Sequence, residues 1–254
     1  MRALIAFTKK EWMESIRTYK FFILMTIFLL FGFMNPLAAK VMPELLNSFL
    51  PEGMTITLTP PAAIDAWMQF FKNVSQMGFI ILVVIYSGMM ATELSKGTLI
   101  NMLTKGLPRR TVVCSKMLAS SMIWTLAYLV CVAITYLYTD FFWTMAGISN
   151  LFLSLVGLWL FGILLLSFVL LGGILFKNFY GSLLFTGAAV VIMNLINIFP
   201  KAVPFNPATL STQNVALLTD AIKVSDFTTS LGICAALIAV VLVVSVVVFD
   251  RKQI

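Results

Sequence analysis

LFLSLVGLWLFGILLLSFVLLGGILF, residues 151–176, contains no Asp, Glu, Lys or Arg. A bilayer's hydrocarbon core is about 30 Å thick and needs about 20 apolar residues of α-helix to cross it. The stretch is long enough to cross, and no soluble core of this size would need so continuous an apolar run. Working outward, five more stretches have the same character: 21–39, 71–91, 118–138, 181–199 and 230–249. Their interiors are also free of charge, with Lys72 at the very end of its span, where a long side chain can snorkel. Of the 254 residues 61% are hydrophobic and only 11% charged, so lipid must be the solvent for much of the surface. The expected fold is an all-α integral membrane protein with six transmembrane helices in one domain, residues 1–254, leaving no room for a separate soluble domain.

The charges give the fold an orientation. With the N-terminus inside, 13 of the 17 Lys and Arg fall on the inner side: Arg2, Lys9, Lys10, Arg17, Lys20, Lys96, Lys105, Arg109, Arg110, Lys116, Lys177, Arg251 and Lys252. Lys40, Lys72, Lys201 and Lys223 fall outside. Positive charge concentrates on cytoplasmic segments, so both termini are expected inside, as an even number of spans requires. Topology thus accounts for the net charge of +7, which gives no support to nucleic-acid binding. Residues 1–20 read as an amphipathic surface helix, with Ile5, Trp12, Ile16 and Tyr19 near one face and Lys9, Lys10, Glu11 and Glu14 away from it. Two outer connections exceed what topology needs. Residues 40–70 carry Pro43, Pro51, Gly53, Pro60 and Pro61, then a stretch from Ala62 that can start a helix running into the second span; residues 200–229 carry Pro200, Pro204 and Pro207. Loops of this length fit a cap or gate on the bundle.

Several chemistries are disfavoured. There is no His, and Cys114, Cys131 and Cys234 show no paired spacing, so an ordinary transition-metal site or a His-based triad is not expected. No GxxxxGK[ST] phosphate loop occurs. The chain is therefore expected to bind no cofactor and to have no catalytic residues.

The most informative loop is ATELSKGTLINMLTKGLPRRTVVCSK, residues 91–116. It reads as a short helix from about Lys96 to Thr104, a turn through Gly106 and Pro108, and a second helix entering the third span. Leu99, Met102 and Leu103 make a small apolar face at i, i+3 and i+4, Thr98 stands where a hydroxyl can cap free amides, and Gly106 where helices stop. A compact helix with one apolar face and basic flanks suits docking into a partner's groove. This loop resembles the signature stretch of ABC-transporter permeases of the exporter class often called type 2. There an acidic residue ending the second span is followed by Gly-Thr-Leu, an apolar pair with Leu, a Pro turn with Arg, and a Lys before the third span. Glu93, Gly97, Thr98, Leu99, Leu103, Pro108, Arg109 and Lys116 occupy those positions. Phe205-Asn-Pro-Ala in the last outer loop also resembles some members, whereas Gly106-Leu107 departs from the usual Pro-containing pair.

The resemblance implies that residues 92–117 form a coupling helix seated on a separate ABC ATPase subunit. That subunit would hold ATP and Mg, and a second permease subunit, identical or related, would complete the transporter in the lipid bilayer. It places Glu93 at the hinge between span and loop, where a carboxylate can also cap the following helix. Lys105, Arg109, Arg110 and Lys116 would face acidic residues of the ATPase or anionic lipid. Within the spans, Asn194 and Asn197 share a helix face, as pathway lining, a dimer contact or a satisfied structural bond. An uncharged pathway suits amphipathic or lipophilic cargo such as a peptide, antibiotic or lipid. Two rivals are a non-transporting immunity or sensory subunit and a membrane enzyme acting on lipid; the second is disfavoured by the lack of clustered polar residues in the spans.

Overall fold

The computed structural model describes residues 2–48, 60–104, 106–145 and 147–252. Pro51, Gly53 and Lys105, singled out above, lie outside them. The described residues are helical wherever they are regular. Helix α1 (Arg2–Arg17) turns through Tyr19, in the left-handed region at φ 60°, into α2 (Lys20–Ser48). Next come α3 (Ala63–Asn73), one π turn (Val74–Gly78), α4 (Phe79–Tyr86) and α5 (Gly88–Ser95), which stack end to end into a single apolar rod, Ala63–Ser95. The short α6 (Ile100–Thr104) leads to α7 (Arg109–Phe142), α8 (Leu151–Phe176) and α9 (Phe179–Ile196). Two small helices, α10 (Thr209–Thr212) and α11 (Asn214–Leu218), precede α12 (Val224–Arg251). Six of these rods are long and apolar enough to cross a membrane: Lys20–Met42, Ala63–Ser95, Arg109–Phe142, Leu151–Phe176, Phe179–Ile196 and Val224–Arg251. The helix that carries the second span starts at Ala63, ahead of residue 71, because the Asp65 carboxylate accepts the Ala62 amide at 2.8 Å and caps that early start.

Helix α8 is the hub. Its glycines let a different neighbour approach at each level: Gly157 meets Phe227 of α12, Gly162 meets Trp124 of α7, Gly172 meets Ser182 and Phe185 of α9, and Gly173 meets Met90 and Ala91 of α5. Indole and phenol groups, apolar except for one polar handle, tie α7 to α8. Trp124 Nε1 donates to the Trp159 carbonyl at 3.0 Å, and Tyr128 donates to the Leu155 carbonyl at 2.9 Å. Pro36 lies inside α2 and cannot donate to the Gly32 carbonyl one turn back. The Thr135 hydroxyl of α7 donates to that carbonyl instead, at 3.4 Å, which is how membrane helices tolerate proline. Beside it, buried Asn35 accepts from Asn73 at 2.7 Å, a polar contact between the first two spans.

The glycine hub gives a testable result. A Cβ at Gly162 would lie 2.5 Å from the Trp124 ring, so Gly162→Val is expected to cost about 1–3 kcal/mol through overpacking. This would be read as a lower midpoint of thermal unfolding in detergent. Val243→Ala on the exposed face of α12 should change it by no more than about 0.5 kcal/mol.

Candidate functional site

The loop between the second and third spans is built by two glycines. Gly97 has φ 67° and Gly106 φ 89°, conformations that side chains other than glycine's rarely adopt. At Gly97 the Thr98 amide donates back to the Glu93 carbonyl at 3.1 Å, and at Gly106 the Leu107 amide donates to Met102 at 3.2 Å. Both are the six-to-one bonds of a Schellman motif. The first ends α5 at Ser95, so the helix expected from about Lys96 begins only at Ile100: a left-handed Gly97 cannot sit inside it. The Thr98 hydroxyl reaches back to the Glu93 carbonyl at 3.4 Å. Nor do the three apolar residues form one outward face. Leu99 is turned in and buried, Leu103 is half-buried, and Met102 is exposed. Pro108, extended and exposed, sets the start of α7.

The two stems of this loop are pinned by charges. Lys116, in the first turns of α7, is only 2% exposed, with Nζ 2.9 Å from Glu11 Oε2 and 2.8 Å from Glu93 Oε2. Glu93 turns its other oxygen to Lys10 at 2.8 Å, and Lys10 also meets Glu11 at 2.9 Å and Glu14 at 2.7 Å. Five charges thus join α1, the end of α5 and the start of α7. This corrects three expectations. Lys116 faces inward and cannot reach a partner's acidic surface, Glu93 forms ion pairs in place of capping a helix, and Glu11 lies on the buried side of α1. The α1 face that packs on α7 is centred on Phe7 and Glu11, while Ile5 and Tyr19 are exposed. The carboxylates of Glu11, Glu14 and Glu93 lie close enough to hold a cation, but Lys10 and Lys116 already fill that role. Burial works against the charge of Lys10, yet bonds to Glu14, Glu93 and Glu11 outweigh it and hold the ammonium above the usual lysine range. A raised lysine stabilises the fold fully below its ordinary pKa and loses that contribution only above it. Lys10 therefore keeps its part in the cluster until strongly alkaline pH.

Arg109 is also a tie within the chain. It donates to the carbonyls of Phe249 at 2.6 Å, Asp250 at 3.1 Å and Lys252 at 2.6 Å, which end α12. Lys252 in turn donates to the Ile174 and Leu175 carbonyls at the end of α8. Cations on carbonyls at helix C-termini are favourable contacts. Arg109→Gln is expected to free the end of α12, seen as faster cleavage of its last turn by a protease added from the loop side.

At the opposite end of the bundle, α3, the π turn, α4, α8, α9, α10 and α11 enclose an apolar cleft of about 1000 Å³. Its walls include Phe79, Val83, Leu165 and Val191, and it is open along exposed Ile80 and Leu184. Asn194 lines it, bonded to the Val190 carbonyl at 2.9 Å. Asn197 does not share that place. It accepts from Asn206 at 2.7 Å, and Asn206 also donates to the Met193 carbonyl, so the Phe205-Asn-Pro-Ala stretch fastens the outer loop to the end of α9.

The family model described as ABC-2 family transporter protein matches residues 5–254. The chain belongs to that family. It is also similar to the uncharacterized transmembrane protein YxlG of Bacillus subtilis (strain 168), 23% identical over 258 residues, covering 100% of this chain and 99% of that protein. As an ABC-2 protein the chain is the multi-pass membrane component of an ABC transporter, and ATP hydrolysis belongs to its partner ATPase subunit. In this ABC-2 component the residues of the loop divide by structure. Among the described side chains Met102 is the outward apolar group of the loop, Gly97 and Gly106 shape it, and Glu93, Arg109 and Lys116 fasten its stems. Sequence reading missed Lys10 and Glu11 as partners in that fastening. The i,i+4 spacing of Lys10 and Glu14 marked only one local pair.

Proposed function

We propose that this ABC-2 protein is the permease half of an ATP-driven exporter in the cell membrane. Both termini face the cytoplasm, and it pairs with an identical or closely related subunit above two ATPase subunits that hold ATP and Mg. The observation that carries the reading is the loop geometry: α6, five residues long, stands between two left-handed glycines and offers exposed Met102 to a partner, with both stems fixed to the bundle. Force on α6 therefore reaches the second and third spans directly. Closure of the ATPase pair would press on α6, tilt the Ala63–Ser95 rod and α7, and change the width of the cleft at the far end. The apolar walls of that cleft support an amphipathic or lipophilic cargo. The concentration of basic residues at the loop end supports the orientation.

The test is co-purification of the full chain with an ABC ATPase subunit from the same cell, in mild detergent. A stable complex whose ATP hydrolysis responds to the permease supports the proposal. If the wild-type chain retains no ATPase subunit, the coupling reading fails and the six-span fold alone stands.

A further inference from the structure

The cleft has a polar end that its apolar walls do not account for. Lys72 is its single ionised lining residue, and no carboxylate faces it. Among the described residues the Lys72 side chain makes no ion pair or hydrogen bond, and the side chain of Gln76, four residues on, has no hydrogen-bond partner either. Both side chains are exposed and both line the cleft. The π turn Val74–Gly78 sits between α3 and α4 at this level; such turns widen a helix locally and often occur at functional sites. Its Ser75 donates to the Ser211 carbonyl at 3.0 Å, fixing this edge of the cleft to α10.

Depth separates the polar end from the apolar walls. Counting back along the rod from Glu93 at its loop end, Lys72 lies about 32 Å away, close to one hydrocarbon thickness, so it stands at the far edge of that layer, where a lysine can reach the headgroups. Ile80 and Val83 lie roughly 12–16 Å further along the helix, beside Leu165 and Leu184. A cation and an amide at headgroup level, above a trough of aliphatic side chains open to lipid, match a molecule with one anionic head and one long apolar tail. A cationic or zwitterionic head would bring a positive charge next to Lys72 with no carboxylate in the lining to receive it.

We propose that the cleft binds a single-tailed amphiphile with an anionic head, carboxylate or phosphate, held at Lys72 and Gln76 with its tail between α4 and α9. This rests on the reading of the cleft as the cargo path and names the class of cargo.

The test uses the full chain in phosphatidylcholine nanodiscs, without ATPase, labelled by a long-chain fatty acid with a photoreactive group in mid-tail. Unlabelled palmitate, palmitoyl lysophosphatidate and palmitate methyl ester serve as competitors. Label is expected on α3, α4 and α9, and the two anionic competitors should displace it at about fivefold lower concentration than the ester, the scale of a partly screened charge contact. Lys72→Gln should erase that preference and Lys72→Arg should keep it. Equal competition by acid and ester in the wild type overturns the proposal, as does label outside these helices or a preference that survives Lys72→Gln. Displacement by only one of the two anionic heads upholds it and identifies the head. Failure to capture an ATPase would sink the exporter reading and leave this result standing. Loss of head preference would sink this inference alone.

Discussion

Lys116→Met should be among the most destabilising single changes at the loop end of this permease. Lys116 is almost completely buried and is the cation between Glu11 and Glu93. Removing one partner from a buried ion pair leaves uncompensated charge and typically costs about 3–5 kcal/mol. Here two carboxylates would lose their shared cation, and Lys10, half-exposed and already bonded to three carboxylates, cannot replace it. The measurement is thermal unfolding in detergent, with a cysteine cross-link between α1 and α7 to report whether the surface helix lets go. Glu93→Gln in the same background removes one orphaned charge and should recover part of the loss, so the pair should be strongly non-additive. If Lys116→Met unfolds like the wild type, the cluster is not holding α1 to the loop stems.

Met102→Asp should abolish capture of the ATPase subunit while leaving the permease folded. Met102 is exposed, so an aspartate there is solvated in the free protein and changes its stability little. In the complex the same carboxylate would enter an apolar contact with no partner, a cost of several kcal/mol, and each 1.4 kcal/mol is tenfold in affinity. A loss of roughly 100-fold or more in co-purified ATPase, at unchanged unfolding temperature, is the expected result. Leu99→Asp makes the contrast: Leu99 is buried within the loop, so that change should unfold the loop itself. Equal capture by Met102→Asp and wild type would move the docking site off α6.

The spans could be read from sequence because a charge-free run of about 20 residues has few other solutions. Which span is central could not be ranked by hydropathy. Helix α12 is the most apolar of the six, yet little of it is buried, whereas α8 is less apolar and mostly enclosed. The signal for α8 was its glycines, which matter only once a neighbour's ring is known to press on them. In the loop, helical spacing marks Leu99, Met102 and Leu103 but not the direction in which each points. A helical wheel assigns Glu11 to the polar face and therefore to water, because it carries no information about a lysine more than 100 positions away. Gly97 held the information that would have moved the start of α6, since a glycine there ends one helix more readily than it begins the next. Lys72 was read as a snorkelling residue at a span's end, and its bare surroundings became visible only with α9 and α10 in place.

The hub geometry also bears on how this sequence can change over evolutionary time. A helix left exposed along most of its length, like α12, can exchange Val, Ile and Leu freely wherever it meets lipid, because lipid tails conform to any aliphatic surface. Each glycine of α8 instead fixes the distance to a different neighbour, so drift there would have to be matched by a smaller ring or a retreating helix elsewhere. Descendants of this chain should therefore diverge from the outside inward, with small residues at 157, 162, 172 and 173 among the last to be replaced.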